Sequence, residues 1–253
     1  MDGIPFIHAT LPQLTATIVE EARLGEGGWV VTPNVDIAQR IRANATFAAL
    51  VSRATVFTAD GAPIIWASRI LGTPLPGRLT GADLFAQLLP AATSQGLRVA
   101  LIGGNPGAAD AAADKLVPAA QRHLVACQCP PFGFESDPAE VERIRALIQD
   151  GKPHIVFIGL GSPKQEMLIE RFRPLSPQSW WLGVGVSFSF VAGDVKRAPA
   201  ALQRLGLEWL FRLVQEPGRL ARRYLVVGIP AALGLLSRAF AQRYLQRSPK
   251  ETS

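Results

Sequence analysis

The sequence predicts an α/β fold, namely a Rossmann-like, doubly wound and mostly parallel sheet followed by a basic helical C-terminal appendage. Short apolar runs alternate along the chain with segments of helical periodicity. The apolar runs lack polar alternation, which is typical of parallel strands that helices cover on both faces. The strand pattern stops near Pro199–Arg204. We therefore divide the chain into a Rossmann-like domain, residues 1–203, and the appendage, residues 204–253.

Six strands and six helices are predicted along the chain. The strands are Trp29–Thr32, Thr55–Thr58, Arg98–Ile102, Leu124–Cys127, His154–Ile158 and Trp180–Val184. The helices begin near Asn34, Pro63, Gly81, Pro106, Pro138 and Pro163. Most of them carry a proline at an early position, where its fixed φ suits a helix. Ligands of such sheets bind at the carboxyl ends of the strands, so the loops that follow the strands hold the candidate site residues.

Composition excludes several classes of protein. The chain has 253 residues, of which 48% are hydrophobic and 18% charged, so it can bury a sizeable core and is not intrinsically disordered. Its two cysteines, Cys127 and Cys129, are too few for a disulfide scaffold or a four-cysteine zinc site. We expect both to be buried strand residues in a reducing cytosol.

The positive charge is concentrated in the appendage. The formal net charge of +6 arises wholly from residues 204–253, which hold nine Lys/Arg against three Asp/Glu. This asymmetry indicates an anionic partner: nucleic acid, a membrane surface or a phosphorylated substrate. Nucleic acid is disfavoured, because the chain has no helix-turn-helix signature and no aromatic-studded sheet.

We expect no targeting segment and no membrane-spanning run in this chain. Its most apolar stretch, Tyr224–Leu236, has 13 residues and is interrupted by Gly228 and Pro230, whereas a membrane-spanning helix needs roughly 20. We therefore expect a cytoplasmic protein that contacts a membrane peripherally.

Arginines and apolar residues are interleaved in the appendage. Arg212, Arg219 and Arg223 fall on one face at helical spacing, close to Glu208 and Glu216. One interpretation is a solvated, salt-bridged helix. The other is a helix in a lipid interface, which the excess of positive charge and the neighbouring apolar residues favour.

Asp60 is the first candidate for chemistry. The dipeptide Asp60-Gly61 follows a strand and precedes a helix, a context in which Asp-Gly is also an ordinary turn. A carboxylate at this edge of the sheet can alternatively serve as a general base.

Two further loops carry weaker signals. The glycines of Gly103–Gly107 would let backbone N–H groups approach a phosphate, or would merely let a helix pack on a strand. This loop matches neither Gly-x-Gly-x-x-Gly nor a P-loop, which disfavours nicotinamide cofactors. In the segment Ser162–Glu166, Ser162 and Gln165 fit a helix capping box, and only Lys164 indicates a phosphate.

Taken together, these motifs resemble the WecG/TagA/CpsF family of bacterial glycosyltransferases, glycosyltransferase family 26. The resemblance covers about residues 25–225. The motifs that carry it are Thr32-Pro-Asn34, Ala59-Asp-Gly61, Arg78-Leu-Thr-Gly-Ala-Asp83, Leu160-Gly-Ser-Pro-Lys-Gln-Glu166, Arg197-Ala-Pro199, Leu205-Gly-Leu-Glu-Trp-Leu210, Arg212, Glu216-Pro217 and Arg222-Arg-Tyr224.

The resemblance implies inverting, metal-independent transfer of a sugar from a UDP-sugar donor to a saccharide carried on a polyprenyl diphosphate, at the inner face of the cell membrane. The sequence independently lacks an Asp-x-Asp pair for Mg²⁺ or Mn²⁺. We therefore expect no metal and no other cofactor, with arginines and helix dipoles stabilising the leaving diphosphate.

Residue roles also follow from the resemblance. It implies that Asp60 is the general base, that Thr32 and Gln165 line the sugar site, and that Arg78 orients donor or acceptor. The residues expected to bind the donor and its nucleotide are Asn34, Gly103, Gly104, Asn105, Lys164, Gly185 and Ser189. Those expected to meet the lipid diphosphate and an anionic membrane surface are Arg212, Arg219, Arg222 and Arg223.

One motif departs from the family pattern and bears on the donor. The family commonly reads Gly-Val-Gly-Gly-x-Phe-Asp-Phe-x-Ala-Gly, whereas this chain has Val186 in place of a glycine and Ser189 in place of the aspartate. Glucose, as in the similar xanthan-type enzymes of exopolysaccharide assembly, is our preferred donor sugar. N-acetylmannosamine or its uronic acid is the alternative. The rival function is a non-catalytic UDP-sugar-binding component of a polysaccharide complex, and homo-oligomer formation is left open.

Overall fold

A six-stranded, all-parallel sheet forms the centre of the molecule. The computed structural model describes residues 1–247, without the side chains of Arg219, Gln246 and Arg247. The strand order is β2-β1-β6-β5-β3-β4, and all six predicted strands are confirmed. The strands are β1 (Gly28–Val31), β2 (Val56–Phe57), β3 (Val99–Gly103), β4 (Val125–Gln128), β5 (Ile155–Gly159) and β6 (Trp180–Gly183).

Helices connect and cover the strands. They are α1 (Leu11–Leu24), α2 (Val35–Ala43), α3 (Ala45–Val51), α4 (Ala62–Leu71), α5 (Gly81–Ser94), α6 (Ala108–Leu116), α7 (Pro138–Gln149), α8 (Lys164–Phe172), α9 (Ser187–Ala192), α10 (Ala200–Arg204), α11 (Glu208–Gln215), α12 (Pro217–Ala221) and α13 (Ile229–Arg247). A π-helical segment, Arg222–Gly228, leads into α13, and 3₁₀ turns occupy Ala119–Leu124, Phe134–Ser136 and Arg173–Leu175. The six predicted helices correspond to α2, α4, α5, α6, α7 and α8. The prediction missed α1, α3 and α9.

Each face of the sheet is buried under its own apolar core. Along β5, Ile155 and Phe157 join one core with residues of α1, α5, α6 and α9, whereas Val156 and Ile158 join the other with residues of α2, α3, α7 and α8. Successive side chains of a strand point to opposite faces. A strand that is apolar at every position therefore needs a helical layer on both sides, which confirms the doubly wound prediction.

The appendage packs against the domain through its last helix. Leu235 and Ala239 of α13 are buried in a third apolar cluster with Ile64 and Ala67 of α4. An ion pair of 2.7 Å between Arg238 and Asp2 joins the same helix to the N-terminus. The helical nature of the appendage is as predicted. Its status as a separate domain stays a prediction.

The prediction that Gly228 and Pro230 interrupt the apolar stretch of the appendage is wrong. Residues Arg222–Leu245 form one continuous helical segment that is long and apolar enough, by length and composition alone, to cross a membrane. Gly228 and Pro230 do not end it. The backbone before them is π-helical, so Pro230 lies where the regular hydrogen-bond pattern already changes and its missing N–H does not break the helix.

The cysteine prediction is also partly wrong. Cys127 lies in β4 and is half-buried, but Cys129 lies beyond the strand and is exposed. Its thiol donates to the Gly104 carbonyl at 3.3 Å. Both thiols are free.

Candidate active site

A cleft of about 920 Å³ lies at the carboxyl edge of the sheet. The loops that follow β1, β2, β3, β5 and β6 supply its polar wall, and residues of the appendage cover it. This is the location at which parallel α/β sheets bind their ligands.

Most of the predicted site residues come together in this cleft. Those that line it are Thr32, Asn34, Asp60, Arg78, Gly104, Asn105, Gln165, Gly185, Ser189, Arg212 and Arg223. Gly103, Lys164 and Arg222 are not among its lining residues. The side chain of Arg219 lies outside the described part of the chain.

Asp60 is placed by the turn that ends β2. Its backbone N–H donates to the Pro33 carbonyl at 2.9 Å, and its carboxylate Oδ2 accepts from the Gly81 N–H, at the start of α5, at 3.3 Å. Burial of the carboxyl group raises the pKa of Asp60 to about 7, against the opposing effects of the Arg78 charge and the Gly81 N–H. Such a group is poised to exchange a proton near neutral pH.

Three carboxylates of the described residues line the cleft, and two of them are neutralised by arginines. Asp36 pairs with Arg223 at 2.6 Å, and Glu208 pairs with Arg78 at 3.1 Å. The Asp60 carboxylate forms no ion pair among the described residues, and the Gly81 N–H is its only hydrogen-bond partner there. The cleft therefore presents one carboxylate that is free to act on a ligand.

Gln165 is held in a fixed orientation at the start of α8. Its side-chain oxygen Oε1 accepts the Gly185 N–H at 3.0 Å, and its Nε2 donates to Glu166 Oε1 at 3.0 Å. The Gly185 N–H can only donate, so it determines which end of the amide faces it. The amide packs so closely on Gly183 that a Cβ there would lie 2.6 Å from Nε2.

The capping-box interpretation of this segment is wrong. Helix α8 begins at Lys164 with Pro163 at its N-cap position, and no side-chain cap is present among the described residues. Ser162 lines the cleft, together with Gln165. Gln165 is thus turned toward the site and Gly185, and does not close the helix end.

Lys164 does not contact the cleft. Its ammonium pairs with Glu135 at 2.8 Å and lies over the Phe132 ring at 4.7 Å from the ring centroid. Both partners belong to the segment that follows β4, which draws the side chain away from the site.

The Gly103–Gly107 turn matches the second of its two interpretations, in which the glycines let a helix pack on a strand. The Gly104 N–H donates to the Gly159 carbonyl at 2.8 Å, so it is not available to a phosphate. Gly104 has φ of +84°, and a Cβ on it would lie 3.0 Å from the Phe188 side chain. The glycine is required for the backbone geometry and for close packing. Asn105 is the residue of this turn, besides Gly104, that lines the cleft.

The remaining polar residues are partly occupied by structural contacts. The Thr32 hydroxyl donates to the Gly183 carbonyl at 3.3 Å. The Asn34 side chain caps α2 by accepting the Ile37 N–H at 3.0 Å. Ser189 is buried on α9, where its carbonyl accepts the Gly193 N–H at 3.0 Å.

The appendage arginines differ in their surroundings. Arg212 lies over the Phe190 ring at 5.5 Å, and its buried Nε has no hydrogen-bond partner among the described residues. Arg223 is already paired with Asp36, and Arg222 is exposed away from the cleft. Among the appendage cations whose side chains the structure describes, Arg212 is therefore the best placed to bind a ligand.

Arg197 and Glu208 are cleft residues to which sequence reasoning assigned no role. Arg197 pairs with Asp83 at 2.7 Å and approaches Glu208 at 3.5 Å. Both residues stand in the Arg-Ala-Pro and Glu-Trp-Leu motifs quoted above, so the signal was present. Among the described residues, no group of three or more His, Cys, Asp or Glu side chains is arranged to hold a metal ion.

A carboxylate with a pKa raised to about 7, an oriented amide and several arginines share this cleft. The arrangement suits group transfer with an anionic substrate. The chain belongs to the glycosyl transferase WecG/TagA/CpsF family, whose sequence model matches residues 1–246. It is 32% identical over 231 residues to the N-acetylglucosaminyldiphosphoundecaprenol N-acetyl-beta-D-mannosaminyltransferase of Bacillus spizizenii, covering 90% of this chain and 87% of the relative. The protein is therefore a glycosyltransferase, as the resemblance implied.

Proposed function

We propose that the enzyme moves a sugar from a UDP-sugar to a saccharide carried on a polyprenyl diphosphate, with inversion and with Asp60 as the general base. The observation that carries the proposal is the state of Asp60. It is the cleft carboxylate without an ion pair among the described residues, and its pKa is raised to about 7.

The reaction follows from that placement. Asp60 removes the proton of an acceptor hydroxyl as the hydroxyl oxygen attacks the anomeric carbon. The new glycosidic bond forms on the face opposite the leaving group, and the bond to UDP breaks with its electron pair on the diphosphate. One base and one displacement give inversion, without a covalent sugar–enzyme intermediate.

Gln165 is assigned to the sugar. Its oxygen and one N–H are engaged by Gly185 and Glu166. A primary amide has a second N–H, so Gln165 would act toward the substrate as a donor to a sugar or phosphate oxygen.

The arginines of the cleft are assigned to stabilising the negative charge of the leaving diphosphate. Arg212 brings a buried Nε without a partner among the described residues, and Arg78 lines the same cleft. Planar guanidinium groups suit phosphate oxygens. We propose that they, with no metal ion, stabilise the leaving group.

The donor preference changes in the light of the Bacillus relative. The name of that enzyme supports N-acetylmannosamine as the donor sugar and an N-acetylglucosamine on diphosphoundecaprenol as the acceptor. Our preference for glucose, and with it a role in exopolysaccharide assembly, is less well supported. Val186 and Ser189 stay the positions at which this chain departs from the family pattern.

We also propose that the enzyme is peripheral on the inner face of the cell membrane. The appendage helices expose large apolar side chains, namely Leu225, Val226, Val227, Ile229, Leu233, Phe240, Tyr244 and Leu245. Apolar groups beside arginines suit an interface with anionic lipid.

Product analysis tests the donor and the stereochemistry together. The enzyme is incubated with an undecaprenyl-diphosphate-linked N-acetylglucosamine and either UDP-N-acetylmannosamine or UDP-glucose, and the lipid product is analysed by mass spectrometry and NMR. A β-linked N-acetylmannosamine supports the proposal. An α-linked product contradicts inversion, and a product that carries glucose indicates glucose as the donor sugar.

A further inference from the structure

Glu208 of the appendage forms ion pairs with two arginines of the domain, close to Asp60. It begins helix α11, and its carboxylate lies 3.1 Å from Arg78 Nη2 and 3.5 Å from Arg197 Nε. The three side chains expose only 17%, 18% and 24% of their surface, respectively. Glu208 and Arg78 stand 130 residues apart in the chain, so only the packing of the appendage onto the domain brings them together.

The first partner of Glu208 acts on Asp60 directly. The positive charge of Arg78 favours ionised Asp60, whereas the negative charge of Glu208 opposes it. The ion pair takes one of the five guanidinium N–H groups of Arg78 and holds the rest of the group in the wall of the cleft.

The second partner leads to Asp60 through the start of α5. Arg197 Nη1 pairs with Asp83 at 2.7 Å, and Asp83 Oδ2 accepts the Thr80 hydroxyl at 2.8 Å. Thr80 caps α5 by accepting the Asp83 N–H at 3.0 Å. The next residue, Gly81, donates its N–H to Asp60. Glu208 is therefore connected to the Asp60 carboxylate in two ways, through Arg78 and through Arg197 with the start of α5.

We propose that Glu208 is a positioning residue: it holds Arg78, whose charge acts on Asp60, and Arg197, which pairs with Asp83 at the start of α5. The base is then ready for catalysis only when helix α11 is docked. A partly buried ion pair contributes little net stability, whereas this one joins the covering element to the groups around the base. The kinetic consequence rests on the function proposed above.

The test compares Glu208→Gln with Asp2→Asn. The first removes the charge at the site. The second breaks the Asp2–Arg238 pair, which also joins appendage and domain but lies outside the cleft. Glu208→Gln should lower kcat about tenfold to a hundredfold, with the KM for the UDP-sugar nearly unchanged, whereas Asp2→Asn should keep the wild-type kcat.

The pH profile separates positioning from mere docking. The charged groups that act on Asp60 are Arg78, Glu208 and Asp83, from three different segments. Removing the Glu208 anion lowers the pKa of Asp60, so the acidic limb of kcat/KM should move to lower pH in Glu208→Gln and stay in place in Asp2→Asn. A wild-type kcat and pH profile in Glu208→Gln, or equal effects of the two variants, would overturn the proposal.

Two further measurements keep the proposal testable by itself. Carboxyl ¹³C NMR of Asp60 reports its pKa without turnover: a downward shift in Glu208→Gln supports the proposal even where no donor is active, and an unchanged pKa overturns it. Absence of turnover by the wild type would count against the proposed function alone. If Glu208→Gln does not fold, Glu208→Asp keeps the charge but withdraws the carboxylate, and a wild-type kcat in that variant overturns the proposal.

Discussion

Replacing Asp60 by asparagine is the sharpest perturbation of the site, because it keeps the shape and removes the base. A positioned general base contributes about 10²- to 10⁴-fold to the rate, or about 3–5 kcal/mol of the activation barrier. Asp60→Asn should lose a factor of that size in kcat while UDP binding, measured by calorimetry, stays within about twofold of the wild type. Asp110→Asn is the matched control, since Asp110 lies on α6 outside the cleft and pairs with Arg122 of the following 3₁₀ turn.

The raised pKa adds a pH dependence with a definite sign. With a pKa of about 7, Asp60 is about half ionised at pH 7 and about one-tenth ionised at pH 6. The base must be ionised to accept a proton, so kcat/KM should fall about fivefold from pH 7 to pH 6 and about tenfold from pH 6 to pH 5. A profile that is flat from pH 5 to pH 8 would refute the assignment of Asp60, as would near wild-type turnover in Asp60→Asn.

The same substitution should stabilise the fold at high pH. The ordinary pKa of an aspartate is 3.8, whereas the pKa of Asp60 in the folded protein is about 7. Ionisation therefore favours the unfolded chain, and stability is lost as the pH rises from about 4 to about 7, by about 4 kcal/mol in all. Asparagine carries no such cost. Asp60→Asn should melt at a higher temperature than the wild type at pH 8 and at a similar temperature near pH 4. A lower melting temperature at pH 8 would contradict the burial argument.

Two other predictions concern the oriented amide and the membrane surface. Gly183→Ala places a Cβ 2.6 Å from Gln165 Nε2, so the amide must move, and kcat should fall about a hundredfold with little change in the far-UV circular dichroism; unchanged kcat would remove Gln165 from the reaction. The double variant Phe240→Asp, Tyr244→Asp replaces two side chains of α13 that are about two-thirds exposed. It should weaken binding to phosphatidylglycerol vesicles more than tenfold, because tenfold corresponds to roughly the transfer free energy of one buried aromatic side chain. The control is Phe132→Asp, which changes an exposed aromatic residue on the domain. Equal vesicle binding by the wild type, the double variant and this control would contradict an interfacial appendage.

The strands could be predicted because their burial is written in the sequence. Runs such as Ile155–Gly159 are apolar at every position, and only a sheet covered on both faces accommodates that pattern. Helix α1 has a comparable signal in its capping box, Thr10 with Gln13, and in the spacing of Leu14, Ile18 and Ala22, so it too was predictable from the sequence.

Other features depend on contacts that local patterns do not encode. Ser162 and Gln165 satisfy the capping rule on paper, but the Gly185 N–H, 20 residues along the chain, draws the Gln165 amide toward the cleft. Lys164 is likewise drawn away by Glu135. The continuity of Arg222–Leu245 depends on a π-helical segment, for which residue propensities give no sign.

Acceptor-dependent release of UDP, measured with EDTA present, tests the central proposal most directly. The assay uses the full chain, UDP-N-acetylmannosamine and undecaprenyl-diphosphate-linked N-acetylglucosamine, with UDP-glucose in a parallel reaction. We expect release that requires the acceptor, persists in EDTA and is lost in Asp60→Asn. Release abolished by EDTA would contradict the metal-independent mechanism, and no release with either donor, although UDP binds, would contradict the proposed transfer.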